Sequence, residues 1–115
     1  MRASPDVGSF ERLFFAEFDD NNFASISLNS SGGVVFYLNE NGLNHSVSSS
    51  DSLNPLEWAH IAVTWNAASL EANIFVNGDE TSYGGALYIS STGTDGKMTF
   101  GSKTDGTQNF KGMMD

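Results

Sequence analysis

The apolar residues of this 115-residue chain come in short runs that alternate with polar residues, and turn-forming residues separate one run from the next. In FASISLN (23–29), Ala24, Ile26 and Leu28 fall on one face of an extended strand, because successive side chains of a strand point to opposite sides. No segment repeats its apolar residues with a helical period. The pattern is typical of an all-β domain built from many short strands.

Turn signals divide the chain into the expected strands. Asn-Gly pairs at 41–42 and 77–78 predict hairpin turns, because Asn and Gly both tolerate a positive φ. The stretch TSYGG around Tyr83 is interpreted as a Gly-flanked loop. No linker or domain boundary interrupts residues 1–115, so we expect one domain or a fragment of one. The predicted strands are 10–18, 23–29, 34–39, 43–49, a strand within 57–66, 71–78, 86–90 and 97–102, and 109–115 is expected to begin one more.

The charge of the chain limits its partners. It carries 14 acidic and 5 basic residues, a net charge of −9, and no Lys or Arg lies between Arg12 and Lys97. Such a surface repels phosphate backbones and anionic lipid, so we expect no nucleic-acid partner. No apolar run approaches the ~20 residues needed to cross a bilayer, so we expect no membrane insertion. Without cysteine there is no disulfide or thiolate site.

The segment EWAHIAVTWN (57–66) contains one of the two histidines and both tryptophans. His60 is interpreted as an ordinary strand residue, because a catalytic or metal-binding role needs partner residues at a suitable spacing. We expect Ile61, Val63 and Trp65 to be buried together between two sheets. Both faces of the strand carry apolar groups, which predicts at least partial cover on both sides. One face would carry Ala59, Ile61, Val63 and Trp65, and the other Trp58, His60, Ala62 and Thr64.

Four pieces of sequence carry a family resemblance. WAHIAVTW (58–65), followed by IFVNG (74–78), resembles the paired central strands of laminin G-like domains. MTFG (98–101) and FKGMMD (110–115) are similar to the two elements that follow in that family. These domains belong to the concanavalin A-like superfamily, which includes pentraxins and legume-type lectins. The resemblance covers residues 10–115 and implies a two-sheet antiparallel jelly-roll sandwich.

The resemblance also implies that terminal strands are missing. Laminin G-like domains usually begin one or two strands earlier and continue with a strand beyond the final Asp. Incomplete sheet edges expose unpaired backbone groups, so we expect self-association by edge pairing or strand exchange near 10–18 and 109–115. Phe110, Met113 and Met114 would contribute apolar surface there. In the alternative, N-terminal residues fold back and fill the gap within one chain.

Family resemblance favours a non-catalytic module that recognises carbohydrate or protein, as part of a larger extracellular or surface protein. Aromatic side chains on such a domain can stack on sugar rings. The candidate ligand-binding residues are Trp58, Tyr37, Tyr83 and Tyr88. Another class of function, a structural or assembly module of a surface or viral particle, also remains open.

Calcium is the expected cofactor if there is one, since many laminin G-like and pentraxin-like domains bind it through loop Asp and Asn residues. The turn DDNN (19–22) offers oxygen ligands, with Asp19 and Asp20 as the first candidates. Asp105 and Asp115 are weaker candidates. The alternative is a turn and nothing else, because turns are rich in Asp and Asn.

The superfamily also contains glycoside hydrolases, so a hydrolase relative is the main alternative function. Their signature resembles Glu-x-Asp-x-Glu or a close variant, and the nearest match here is Glu17 with Asp19. Positions 21 and 22 are asparagines, so the second Glu is absent. A retaining glycosidase needs a nucleophile and a separate acid/base. No catalytic residue is therefore predicted.

Overall fold

The computed structural model describes residues 2–3, 10–66, 68–84 and 96–115. These ranges contain strands and turns and no helix, so none of them offers a helix able to span a membrane. The predicted strand 86–90, with Tyr88, lies outside the described residues. The strands are β1 (Arg2–Ala3), β2 (Glu11–Asp19), β3 (Asn22–Leu28), β4 (Gly33–Glu40), β5 (Leu43–Ser52), β6 (Ile61–Asn66), β7 (Glu71–Val76), β8 (Asp79–Gly84), β9 (Lys97–Phe100) and β10 (Gly112–Met113).

The strands form two main antiparallel sheets, which we call the large sheet and the small sheet. The large sheet has the order β5-β4-β3-β2-β9, and the small sheet has the order β6-β7-β8. Both predicted Asn-Gly turns are present, with positive φ at Asn41 and Gly42 and again at Asn77 and Gly78. The prediction of an all-β, two-sheet antiparallel sandwich is confirmed.

The core lies between the two sheets. Leu28 and Leu38 of the large sheet and Ile74 of the small sheet are fully buried there. Alternation along each strand explains the arrangement, because every second side chain faces the opposite sheet. The inward face predicted for β6 is confirmed, since Ile61, Val63, and Trp65 pack against this core.

Burial of β6 is incomplete on both faces, which corrects two expectations. Ile61, Val63 and Trp65 are only partly buried, because Val63 and Trp65 border an open cleft between the sheets and Ile61 borders a separate groove. On the outward face, His60 and Thr64 are exposed and Ala62 is half-buried, so the expected cover is limited to Ala62 there. The physical reason is that the small sheet packs against the large sheet through one face only. The exposure of His60 agrees with its interpretation as an ordinary side chain.

Tyr83 lies in a strand, so the predicted loop around it is wrong. β8 follows the Asn77-Gly78 turn directly and pairs antiparallel with β7, which places Tyr83 opposite Ala72. The polar, Gly-containing composition suggested a loop. Pairing with β7 satisfies the backbone hydrogen bonds of this segment and outweighs its weak strand propensity.

Strand β2 is not an edge, so the expected contact site near residues 10–18 is wrong. β3 and β9 pair with its two sides. At the termini, β1 pairs with β10 in the register Arg2↔Met113 and Ala3↔Gly112. The alternative in which N-terminal residues fold back within one chain therefore describes the arrangement of these strands.

The turn between β4 and β5 supports a first prediction. Gly42 has φ of 83°, and an added Cβ would meet no atom within 4 Å. Gly42→Ala should therefore act through backbone strain alone and lower the free energy of unfolding by about 1 kcal/mol. Urea denaturation measures this, with Ser46→Ala on the exposed surface of β5 as the control. Equal stabilities of the two variants would contradict the left-handed turn.

Candidate functional site

Three aromatic rings line the face of the large sheet that points away from the core. We call Phe15, Phe23 and Tyr37 the aromatic row. The Phe15 and Phe23 rings have centroids 5.1 Å apart, and Phe23 and Tyr37 lie 6.2 Å apart with an angle of 3° between their planes. Phe15 is only 2% exposed, while Phe23 and Tyr37 are half-buried. The row is therefore most accessible to solvent at its Phe23 and Tyr37 rings.

Arg12 lies against this row. Its Nη1 donates hydrogen bonds to the hydroxyls of Ser25 and, at 2.8 Å, of Ser27. Its Nε donates to Oε1 of Gln108 at 2.8 Å. Its Cζ lies 5.6 Å from the centroid of the Phe15 ring, a cation–π contact. Burial lowers the pKa of the Arg12 guanidinium below its usual value, because the charged form loses hydration.

The segment 101–110 folds over the Phe15 end of the row. Lys103 places its Nζ 5.9 Å from the Phe15 centroid, and Thr104 donates a hydrogen bond of 2.6 Å to Oε2 of Glu17. The backbone N–H of Arg12 donates to the carbonyl of Gln108 at 2.9 Å. This segment therefore brings a second cation to the ring that Arg12 already contacts.

A second candidate surface surrounds Trp58, just before β6. We call Asn54, Glu57, Trp58 and Asn77 the Trp58 edge. Trp58 is 55% exposed beside a shallow depression of about 40 Å³ lined by the other three residues. Asn54 Nδ2 donates to Glu57 Oε2 at 2.9 Å. Asn77 Oδ1 accepts from the His60 N–H at 2.9 Å, and the Asn77 N–H donates to the His60 carbonyl at 2.8 Å. These bonds hold the loop beside the indole.

The four predicted aromatic candidates do not form one site. Tyr37 lies on the outward face of the large sheet, whereas Trp58 precedes the first strand of the small sheet. Tyr83 lies in β8, and Tyr88 lies outside the described residues. Trp58 and Tyr37 are thus the centres of two separate surfaces.

The acidic turn 19–22 is held by hydrogen bonds among its own residues. Asp19 Oδ1 accepts from the Asn21 N–H at 2.9 Å and from Asn22 Nδ2 at 2.7 Å, and Asp20 is exposed. A register shift in β2 separates Glu17 from Asp19. In the described ranges no three His, Asp or Glu side chains come close enough together to hold a metal ion.

The two weaker calcium candidates lie elsewhere. Asp105 is exposed, and hydrogen bonds from the Thr107 hydroxyl and N–H lower the pKa of its carboxyl, with a smaller contribution from Lys103. Asp115 lines an open groove of about 500 Å³ together with His60 and Phe100. The four acidic candidates therefore share no site.

The gap between the two sheets is an apolar concavity. It is an open cleft of about 400 Å³ between β6 and the inner face of β2 and β9. Trp65, Phe18 and Met98 contribute to it, and every other described residue that lines it is also apolar. A lining of this kind offers burial but little specificity for a ligand.

Sequence reasoning missed Arg12, Lys103 and Glu57 as site residues. For Arg12 a signal exists, because it is the one basic residue inside the apolar run 10–18. For Lys103 and Glu57 the sequence carries no such signal. Both lie in loops, and the local sequence does not specify which residues a loop will contact.

A family model described as the concanavalin A-like lectin/glucanases superfamily, laminin G type, matches residues 3–115. The match includes both sheets and the two candidate surfaces. No curated protein and no solved structure matches the chain.

Proposed function

The chain belongs to the concanavalin A-like lectin/glucanase superfamily, and we propose that it is a non-catalytic module that binds carbohydrate. Membership supports a carbohydrate- or protein-binding module in general. The finer choice of carbohydrate rests on one observation, the exposed Trp58 beside hydrogen-bonding side chains. As in the superfamily's extracellular members, we place the module in a larger secreted or surface protein.

Exposure of Trp58 is costly for a purely structural residue. An indole buries a large apolar area when it packs, and most tryptophans are largely buried. Trp58 is 55% exposed although the loop that carries it is held by hydrogen bonds on both sides. A sugar ring that stacks on this indole would cover the apolar face without any rearrangement of the loop, which lowers the entropic cost of binding.

Polar groups beside the indole supply what a sugar needs. The carboxylate of Glu57 and the amides of Asn54 and Asn77 line the same depression. Carboxylates accept, and amides both donate and accept, so together they match the hydroxyl groups of a pyranose. A protein is the second candidate ligand, because an exposed tryptophan is also a common anchor at protein interfaces.

Glycan-array screening followed by calorimetry with the best oligosaccharide tests the proposal. We expect Trp58→Ala to weaken binding about ten-fold, the loss of one aromatic contact. Trp58→Phe should keep part of the affinity, and Glu57→Gln should weaken binding without changing stability. Binding that survives Trp58→Ala unchanged would place the site elsewhere, and an array without any bound glycan would favour a protein ligand.

Calcium binding at Asp19 and Asp20 remains a hypothesis to be tested, and we expect no calcium-specific response. A calcium ion there would compete with the hydrogen bonds from Asn21 and Asn22 to Asp19. We therefore expect calcium and magnesium at equal ionic strength to raise the melting temperature equally, as cations do for an acidic chain. A calcium-specific rise that disappears in the Asp19→Asn, Asp20→Asn double variant would establish the site.

Self-association also remains a proposal, now placed at β9 and β10 instead of β2. Met98 and Phe100 on β9 and Met113 and Met114 near β10 are large apolar side chains that are exposed. Such a patch favours contact with another molecule. Sedimentation over a range of concentrations measures association, and Phe100→Ser should reduce it. A strictly monomeric protein at high micromolar concentration would exclude the contact.

A further inference from the structure

We propose that Arg12 and Lys103 form a second binding site, which receives the anionic group of an acidic sugar such as a uronate. The site lies on the outward face of the large sheet, where both cations contact the ring of Phe15. The ligand class, carbohydrate, rests on the proposed function. The site itself is separate from the Trp58 edge and can be tested independently of it.

The first argument is the missing counter-charge. The chain has 14 acidic and only 5 basic residues, so a partly buried cation should easily find a carboxylate. Arg12 instead has only neutral partners among the described residues, namely Ser25, Ser27 and Gln108. A guanidinium that loses hydration without gaining a counter-ion costs free energy. A bound anion would recover that cost.

The second argument is the geometry of the guanidinium. Arg12 uses Nε and Nη1 for its hydrogen bonds to protein side chains. No described residue accepts from Nη2, so its two N–H groups remain for a ligand. The three existing bonds and the contacts with the rings of Phe15 and Tyr37 fix the plane of the group. An oriented guanidinium recognises a carboxylate better than a mobile one.

A second cation strengthens the site. The Nζ of Lys103 lies over the same ring as the Arg12 guanidinium, and Lys103 is itself paired with the exposed Asp105 at 3.8 Å. An anion bound beside this ring would be attracted by both positive charges. Asp105 can turn to solvent when a ligand replaces it, because it is exposed.

The neighbouring surface suits a sugar ring. Tyr37 is half-buried, its ring lies parallel to that of Phe23, and its centroid is 6.0 Å from the Cζ of Arg12. Ser46 lies opposite Tyr37 on β5 and Ser48 lies opposite Val35, and both serines are exposed. A uronate can contact the accessible part of the Tyr37 ring, place hydroxyls toward these serines and direct its carboxylate to Nη2 of Arg12.

NMR titration with D-glucuronate tests the site, with D-glucose as the matched neutral sugar and sodium acetate as the carboxylate without a sugar. The Arg12 Nε–Hε signal reports the site, and the Trp58 indole signal reports the Trp58 edge. We expect a saturable shift of the Arg12 signal with glucuronate, a weaker one with acetate at equal ionic strength, and none with glucose. Glucose 6-sulfate distinguishes a general anion site from a carboxylate site.

Variants separate binding from structure. Lys103→Gln leaves the Arg12 bonds intact and should weaken glucuronate binding about two- to five-fold, the range for a partly exposed charge. Arg12→Lys keeps the positive charge but loses the paired N–H donors of the guanidinium, and should weaken glucuronate binding about ten-fold. Lys111→Gln removes an exposed cation elsewhere and should have no effect.

Four results would overturn the inference. An Arg12 Nε–Hε signal that does not shift with glucuronate would show that no ligand binds at Arg12. Equal shifts with acetate and glucuronate would show that the site does not recognise the sugar ring. Equal shifts with glucose and glucuronate would show that it does not recognise the carboxylate. Equal losses in the Lys103 and Lys111 variants would reduce the effect to general electrostatics. If the Trp58 indole responds while Arg12 does not, the proposed function stands and only this inference fails.

Discussion

Leu38→Ala is expected to lower the free energy of unfolding by about 2–5 kcal/mol, the cost of removing a large aliphatic side chain from an enclosed core. Leu38 is completely buried in β4, between its neighbours β3 and β5, and belongs to the core between the sheets. β4 itself is paired with β5 on one side and with β3 on the other, so the cavity cannot collapse easily. For a small domain of ordinary stability this is a large fraction of the total.

Urea denaturation of the unchanged protein and of Leu38→Ala measures the difference in the free energy of unfolding. Leu43→Ala is the matched control. Leu43 is the same residue type on the adjacent strand β5 but is 66% exposed. Its replacement should change stability by less than about 0.5 kcal/mol. Similar losses in the two variants would mean that the core does not lie on the assigned face of β4.

The two tryptophans should respond very differently to replacement by alanine. Trp65 packs against the core and borders the cleft, so Trp65→Ala should cost about 2–3 kcal/mol, below the full range for an enclosed aromatic residue. Trp58→Ala should change stability by less than about 0.5 kcal/mol, because the indole is mostly exposed. The same Trp58 variant should bind carbohydrate about ten-fold more weakly, so function and stability separate at these two positions.

Thermal and urea unfolding followed by circular dichroism gives both values. Tryptophan fluorescence is unsuitable here, because each variant removes one of the two fluorophores. A Trp65→Ala protein with an unchanged midpoint would show that β6 contributes little to the core. A Trp58→Ala protein that loses several kcal/mol would make Trp58 a structural residue and remove the main argument for the proposed site.

Local signals accounted for most of the strands. Period-two alternation predicted β3 and the inward face of β6, and Asn-Gly pairs predicted the turns at 41–42 and 77–78. These features depend on neighbours one to four positions away, which is the range over which a sequence can be read directly. β8 was missed because its polar composition has little intrinsic strand preference, and only pairing with β7 makes it a strand.

Candidate sites were less predictable than strands. Trp58 was found because an aromatic residue is visible in a sequence, but its exposure depends on the loop that carries it. Glu17 and Asp19 drew attention as a catalytic pattern, yet Thr104 and Asn22 take their carboxylates as hydrogen-bond acceptors. Chemical type alone does not reveal which partners the fold brings to a side chain.

The sequence by itself determined the class of this protein, through its short alternating strands and its tight Asn-Gly turns. The tertiary structure alone decided that Arg12 meets Gln108, 96 positions away, and shares the Phe15 ring with Lys103. Strand formation and turn type follow from local sterics and periodicity. The convergence of two cations on one ring requires the segment 101–110 to pack across the large sheet, and that path depends on long-range contacts that no local pattern encodes.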